Sequence, residues 1–135
     1  CALAALYSLA SPWLSENRVN AAYDAIVRGN LLQARTEARS AHAFNPLSVD
    51  ALLVQASVEP DRKALQLYKQ ARDLEPKNPE TWYQLGAFEL QVGLPRAAYH
   101  DLNQSYTLDS YGPAGVKGGP LDRARCKIDP STCPK

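Results

Sequence analysis

Few side chains in this 135-residue chain are equipped for chemistry, and their spacing keeps them apart. His42 and His100 each stand without a serine or cysteine nearby to make a nucleophile and base. Both fall on helical stretches as expected surface residues. Glu59-Pro60-Asp61 brings two carboxylates close, but the proline between them reads as a turn and a helix start. No phosphate loop or metal-ligand spacing occurs, and the histidines lie too far from the cysteines for a zinc site. Asn103-Gln104-Ser105 matches a glycosylation acceptor but falls inside an expected helix. Cys126 and Cys133 differ: seven residues apart, they bracket Lys-Ile-Asp-Pro-Ser-Thr. A disulfide closing that loop would add ~2 kcal/mol and would persist only in an oxidising compartment. The other reading is two unrelated surface thiols. The chain is therefore expected to be non-enzymatic, with no catalytic residue, cofactor or metal.

Composition agrees with one globular domain: 45% of residues are hydrophobic and 21% charged. Fifteen basic and fourteen acidic residues are interspersed for a net charge of +1, which excludes a basic nucleic-acid footprint. Residues 1–15 carry no charge. That run is shorter than the roughly 20 residues a bilayer requires. The expectation is an apolar segment, 1–14, that ends a longer membrane helix, with Trp13 at the interface. Alternatives are a signal-peptide remnant, a lipid anchor on Cys1, and a soluble cap packed on the first repeat.

The elements that position these residues are helices. Ser11 is expected to cap a helix that opens at Pro12 and runs to Arg28, with Gly29 as its stop. Asn30 caps Leu31–Phe44, and Pro46 prevents continuation. A short helix, Ala51–Val58, precedes Asp61–Leu74, whose Leu65, Tyr68 and Ala71 form a core stripe. Asn78 caps Pro79–Val92, Gly93 stops it, and Pro95 opens a helix to Leu108. Residues 111–120 hold four glycines and two prolines, so residues 113–135 are expected to be an irregular tail with one helical turn over Leu121–Cys126 after Pro120, anchored by Val116, Leu121 and Ile128.

The helices repeat. From Trp82, Leu85, Gly86, Gly93 and Ala98 follow at +3, +4, +11 and +16. Two units earlier, Ala21, Ala22, Gly29 and Ala34 keep the spacing, with Ala25 where the later unit has Glu89. This pattern resembles the tetratricopeptide repeat (TPR), a helix-turn-helix unit of 34 residues. The resemblance implies an all-α, TPR-like α-solenoid of about three units: 15–48, a shortened 49–78, and 79–112. The middle unit lacks four residues, close to one helical turn, which keeps its second helix in phase.

In TPR arrays the first helix of each unit lines a peptide-binding groove. Mapped here, that face is Val19, Asn20, Tyr23, Ile26 and Val27, then Leu53 and Ser57, then Tyr83, Ala87, Leu90 and Gln91, with Glu16, Asp50 and Glu80 as an acidic edge. Val19 and Tyr23 stand where some members hold a peptide carboxylate with Lys and Asn, so no such clamp is expected. The partner would be a protein or peptide, as an apolar helix or extended segment. The chain's own termini or a second subunit could fill the groove instead.

Ser-Pro-Trp-Leu-Ser-Glu, Gly-Asn-Leu-Leu-Gln-Ala-Arg and Phe-Asn-Pro-Leu-Ser are similar to the C-terminal TPR regions of bacterial O-antigen ligase or polymerase-like membrane proteins. That resemblance implies an extracytoplasmic interaction domain, tethered to the cytoplasmic membrane and serving cell-envelope polysaccharide assembly. Contact with the membrane would run only through the upstream segment. A free periplasmic or lipid-anchored adaptor is the alternative.

Overall fold

The computed structural model describes residues 2–133, with side chains from Ser11 onward. The described residues form helices and turns: α1 (Ala2–Val27), α2 (Leu31–Phe44), α3 (Val49–Ala56), α4 (Asp61–Leu74), α5 (Pro79–Gln91), α6 (Pro95–Leu108) and α7 (Pro120–Ile128). Short 3₁₀ turns occur at Pro113–Gly115 and Pro130–Thr132. None of these helices is long and apolar enough to cross a membrane. The chain divides into two compact units, residues up to Leu67 and residues from Tyr68 on.

In the first unit, α1 packs along α2 through small residues. Ala22 and Ala25 meet Ala34, Ala38 and Ala41, all fully buried, with Val19, Val54 and Val58 completing the core. Alanines spaced three and four apart make a smooth stripe, so the two backbones approach closely. The Ser15 hydroxyl, itself buried, donates to the Ala41 carbonyl at 2.9 Å, and Ser11 donates to Phe44. The α1–α2 turn uses Gly29 at φ 73, a left-handed conformation that costs glycine nothing. Asn30 then caps α2, its side chain accepting from the Gln33 amide at 3.1 Å.

Two expectations for α1 fail. Ser11 is not a cap, and Pro12 lies inside a continuous helix rather than at its start. Proline removes one intrahelical hydrogen bond. The helix continues because Ser11 and Ser15 on either side are bonded to α2 carbonyls, which holds this stretch in register.

The shortened first helix of the middle unit is present as α3, eight residues capped by Ser48, which accepts from the Ala51 amide at 3.2 Å. The corner after it is closed by charge. Glu59, its side chain 1% exposed, takes two hydrogen bonds from Arg39 at 2.6 and 3.0 Å and one from Lys63 at 3.1 Å. Arg35 donates to the neighbouring Val58 carbonyl at 3.1 and 2.9 Å. A buried carboxylate survives when charged donors replace its water. Glu59-Pro60-Asp61 is thus a corner and helix start.

In the second unit, α5 packs along α6. Leu85 and Leu102 are fully buried, and Gly86 lies against α6 so tightly that a Cβ there would meet Leu102 Cγ at 2.7 Å. The Ser105 hydroxyl donates to the Pro79 carbonyl at 2.8 Å. In the repeat register Ser105 matches Ala41 and Pro79 matches Ser15. The same two positions are therefore joined in both pairs, with the hydroxyl on opposite helices. Gly93, at φ 83, makes the turn, and the Leu94 amide reaches back to the Glu89 carbonyl at 2.8 Å. Trp82, from which the repeat spacing is counted, sits at the edge of this pair. Its indole donates to the Pro76 carbonyl at 2.8 Å and the Arg72 guanidinium stacks 5.3 Å from its ring. Thr81 and Leu85 take the core positions.

In the tail the turn expected over Leu121–Cys126 is part of a longer helix. After the Gly/Pro stretch the chain forms α7, two and a half turns long by its nine residues. Pro120 fits the first helical position, Asp122 the first turn, and Arg125 and Lys127 the last. Ala124, fully buried, and Leu121 pack against Leu90, Ala98 and Leu102. Ala114 is buried too, whereas the expected anchors Val116 and Ile128 are exposed. A small residue anchors a helix laid close across others better than a bulky one, which is why alanines hold the tail.

Candidate functional site

A helix face at i, i+4, i+7 and i+8 brings Tyr83, Ala87, Leu90 and Gln91 to one side of α5. Beside it, Pro120, Arg123 and Lys127 line up at i, i+3 and i+7 on α7. Together these seven residues enclose a cleft of about 500 Å³. Leu90 forms a nearly buried base, 8% exposed, with Tyr83 and Ala87 half-exposed above it. Arg123 and Lys127 are exposed, and neither has a side-chain partner among the described residues, whereas Arg125 is paired with Asp122 at 2.7 Å. Cys126 and Cys133 are joined as a disulfide, Cα to Cα 4.7 Å, tying the last turn of α7 to the 3₁₀ turn after it.

The first unit has its own cleft, about 360 Å³, lined by Pro12, Ser15, Glu16, Val19, Asn20, Tyr23, Ser48 and Asp50. Its charged groups are carboxylates, Glu16 and Asp50, so the two clefts differ in sign.

The residues mapped to the groove therefore separate. Val19, Asn20 and Tyr23 share the first cleft; Tyr83, Ala87, Leu90 and Gln91 share the second. Ile26 packs half-buried on the core, and Val27 is 86% exposed at the end of α1. Leu53 is buried and Ser57 bonds back to the Val54 carbonyl at 2.8 Å, so neither lines either cleft. The reason is the brevity of α3: every residue in it but Asp50 is buried, leaving no free face.

Of the histidines, His100 is exposed and its Nδ1 lies 2.6 Å from Asp101 Oδ1. His42 is only half-exposed, and its Nδ1 is buried with no hydrogen-bond partner among the described residues. That departs from the expected surface position. Ser105 of the glycosylation-like triplet is buried with its hydroxyl engaged. No group of three metal-ligating side chains occurs among the described residues.

A buried acid pair is not apparent from the sequence motifs. Glu89 on α5 and Asp101 on α6 are 3% and 5% exposed. Desolvation, and then the adjacent Asp101 charge, push the Glu89 carboxyl up to about 7, with Lys69 and Arg72 acting against them. The available signal is in the register, where Glu89 matches Ala25, a fully buried core alanine. Glu59 is shifted the other way: the Arg39 hydrogen bond, helped by Lys63, holds it near 2.

No protein-family model and no curated protein matches the chain. Solved structures do. The chain is similar to the first TPR of Spaghetti (RPAP3) bound to an HSP90 peptide, SRMEEVD, with TM-score 0.76 and 12% identity over 87% of this chain and 94% of that one. It is similar to the Yersinia enterocolitica type III secretion chaperone SycD in complex with a peptide of the translocator YopD, with TM-score 0.71 and 15% identity over 84% and 94%. A mutant of the Thermobaculum terrenum O-GlcNAc transferase matches with TM-score 0.73 and 19% identity, over 84% of this chain but 22% of that one. The fold is therefore that of a TPR-like α-solenoid.

The two shifted carboxyls give opposite pH dependences. Glu59, lowered in the fold, stabilises above its ordinary value of 4.5, and that stability is lost as pH falls toward 2. Glu89, raised, favours the fold most below 4.5, and that advantage is lost as pH rises through 7. Urea unfolding across pH should show Glu89→Gln more stable than the wild type above pH 7, by about 1–3 kcal/mol, and equal to it near pH 4. Glu59→Gln should be less stable at neutral pH, and that deficit should shrink in acid.

Proposed function

We propose that this chain is a non-catalytic protein–protein interaction module that holds a peptide segment of its partner in the cleft between α5 and α7. The observation that carries this reading is the composition of that cleft. A buried leucine and half-exposed Tyr83 and Ala87 form an apolar base, with free polar groups at the margin. Concave sites of this kind suit short segments with a few apolar anchors. The peptides in the similar RPAP3 and SycD structures support the same class of partner.

The finer reading is an extracytoplasmic TPR domain of a bacterial membrane protein serving cell-envelope polysaccharide assembly. Its support is the disulfide, which lasts only where thiols stay oxidised, and it agrees with what the Ser-Pro-Trp-Leu-Ser-Glu, Gly-Asn-Leu-Leu-Gln-Ala-Arg and Phe-Asn-Pro-Leu-Ser motifs suggest. A second reading is a structural or oligomerisation domain whose groove is filled by its own termini. It is favoured by the way α7 already lies against α5 and α6 through Ala124 and Leu121.

A photo-crosslinking residue at Gln91, compared with one at Thr107, should separate these readings in the producing cells. The interaction reading expects an adduct of a different protein from Gln91 and none from Thr107. Adducts confined to the chain itself, or to a second copy, would favour the structural reading and contradict the first. For the compartment, acid-quenched cells treated with a maleimide should leave Cys126 and Cys133 unlabelled until a reductant is added. Full labelling without reductant would exclude the extracytoplasmic reading.

A further inference from the structure

We infer that the α5–α7 cleft selects an extended peptide segment carrying two acidic side chains two residues apart, with an apolar residue between or beside them. This rests on the peptide-groove reading above and adds the charge of the partner. The observation behind it is the wall that α7 contributes. Arg123 and Lys127 are one helical turn apart, both line the cleft, and both lack a partner among the described residues. The acid most available to neutralise this face, Asp122, is already engaged, by Arg125 at 2.7 Å and by the Gly118 amide at 2.8 Å. No carboxylate lines the cleft, so nothing in it opposes an anion.

The spacing sets the ligand's form. Side chains at i and i+4 on a helix stand roughly 6 Å apart at Cβ. Residues i and i+2 of an extended chain are separated by about 6.6 Å and point the same way. Two carboxylates so placed can each meet one cation, while an intervening apolar residue turns toward Tyr83 and Leu90. The aliphatic stems of Arg123 and Lys127 extend that apolar surface. The disulfide at Cys126 holds the turn that carries Lys127, so the wall is formed before the ligand arrives.

The first unit supplies an internal contrast. Its cleft presents Glu16 and Asp50, and a peptide rich in acid is repelled there. Of the two clefts, recognition of acidic segments therefore belongs to the second.

The test is selection of a displayed library of random ten-residue peptides on the immobilised chain. It is repeated on Arg123→Glu/Lys127→Glu, on the milder Arg123→Gln, on Tyr83→Ala and on Glu16→Gln. All five proteins are first shown to have the same helical circular dichroism. The expected result is enrichment of Asp and Glu at alternating positions on the wild type and on Glu16→Gln. Selected peptides should bind the wild type roughly tenfold tighter than their Gln-for-Glu versions at low salt, the scale of two exposed charge pairs. The preference should shrink on Arg123→Gln and turn toward Lys and Arg on the charge-reversed variant. Tyr83→Ala should weaken acidic and neutral versions alike. Enrichment of peptides that need Tyr83 but show no acidic preference would overturn this inference and leave the groove reading standing. Selection that ignores Tyr83, or no selection at all, would overturn both.

Discussion

How closely two helices can lie is decided by the smallest side chains between them, and in the second unit that is Gly86. A single carbon added there would sit 2.7 Å from Leu102 Cγ and 3.0 Å from its backbone nitrogen. The first unit solves the same problem with two alanines, Ala22 and Ala38, at the matching register positions. Glycine against leucine and alanine against alanine are two ways of keeping bulk out of the seam between paired helices. Much depends on that spacing. It brings the Ser105 hydroxyl to the Pro79 carbonyl, buries Leu85, and forces Glu89 and Asp101 together. It also makes the surface on which Ala124 seats α7. Without that seat, Arg123 and Lys127 would have no fixed place beside Tyr83.

The helix pairs were legible because their punctuation is local. Asn30 and Asn78 cap the helices they precede, and Gly29 and Gly93 take positive φ where the chain reverses, whereas the Ser48 cap was not read and α3 starts two residues before the expected Ala51. The bounds Leu31–Phe44, Asp61–Leu74 and Pro95–Leu108 follow from such signals alone. The continuous α1 was not legible, since the hydrogen bonds that hold it past Pro12 come from α2, a separate helix, and not from its own neighbours in the chain. The tail misled for another reason. Its four glycines between 111 and 120 suggest only one turn after Pro120, although Asp122, Arg125 and Lys127 are placed as a longer helix places them. The placing of α7 beside α5 was therefore not read from the sequence, while the α5 half followed from the repeat register.

Burial explains why some mapped positions do no more than support the fold. An eight-residue α3 cannot keep one face free while filling the core, so Leu53 turns inward and the first unit's open face is left to α1. Charge follows the same economy of space. Carboxylates that must be buried are either surrounded by donors, as Glu59 is, or left next to a second acid and held toward the protonated form, as Glu89 is.

The central claim, that helix spacing at Gly86 is set by Leu102, is tested most directly by a double-mutant cycle of Gly86→Ala and Leu102→Ala, read by urea unfolding. In the wild-type background Gly86→Ala should destabilise by about 1–3 kcal/mol through overpacking. In the Leu102→Ala background the same change should cost less, because the contact with the leucine side chain is gone while those with the backbone nitrogen of residue 102 and the Ala98 carbonyl, at 3.0 and 3.2 Å, remain. An equal effect of Gly86→Ala in both backgrounds would contradict the account.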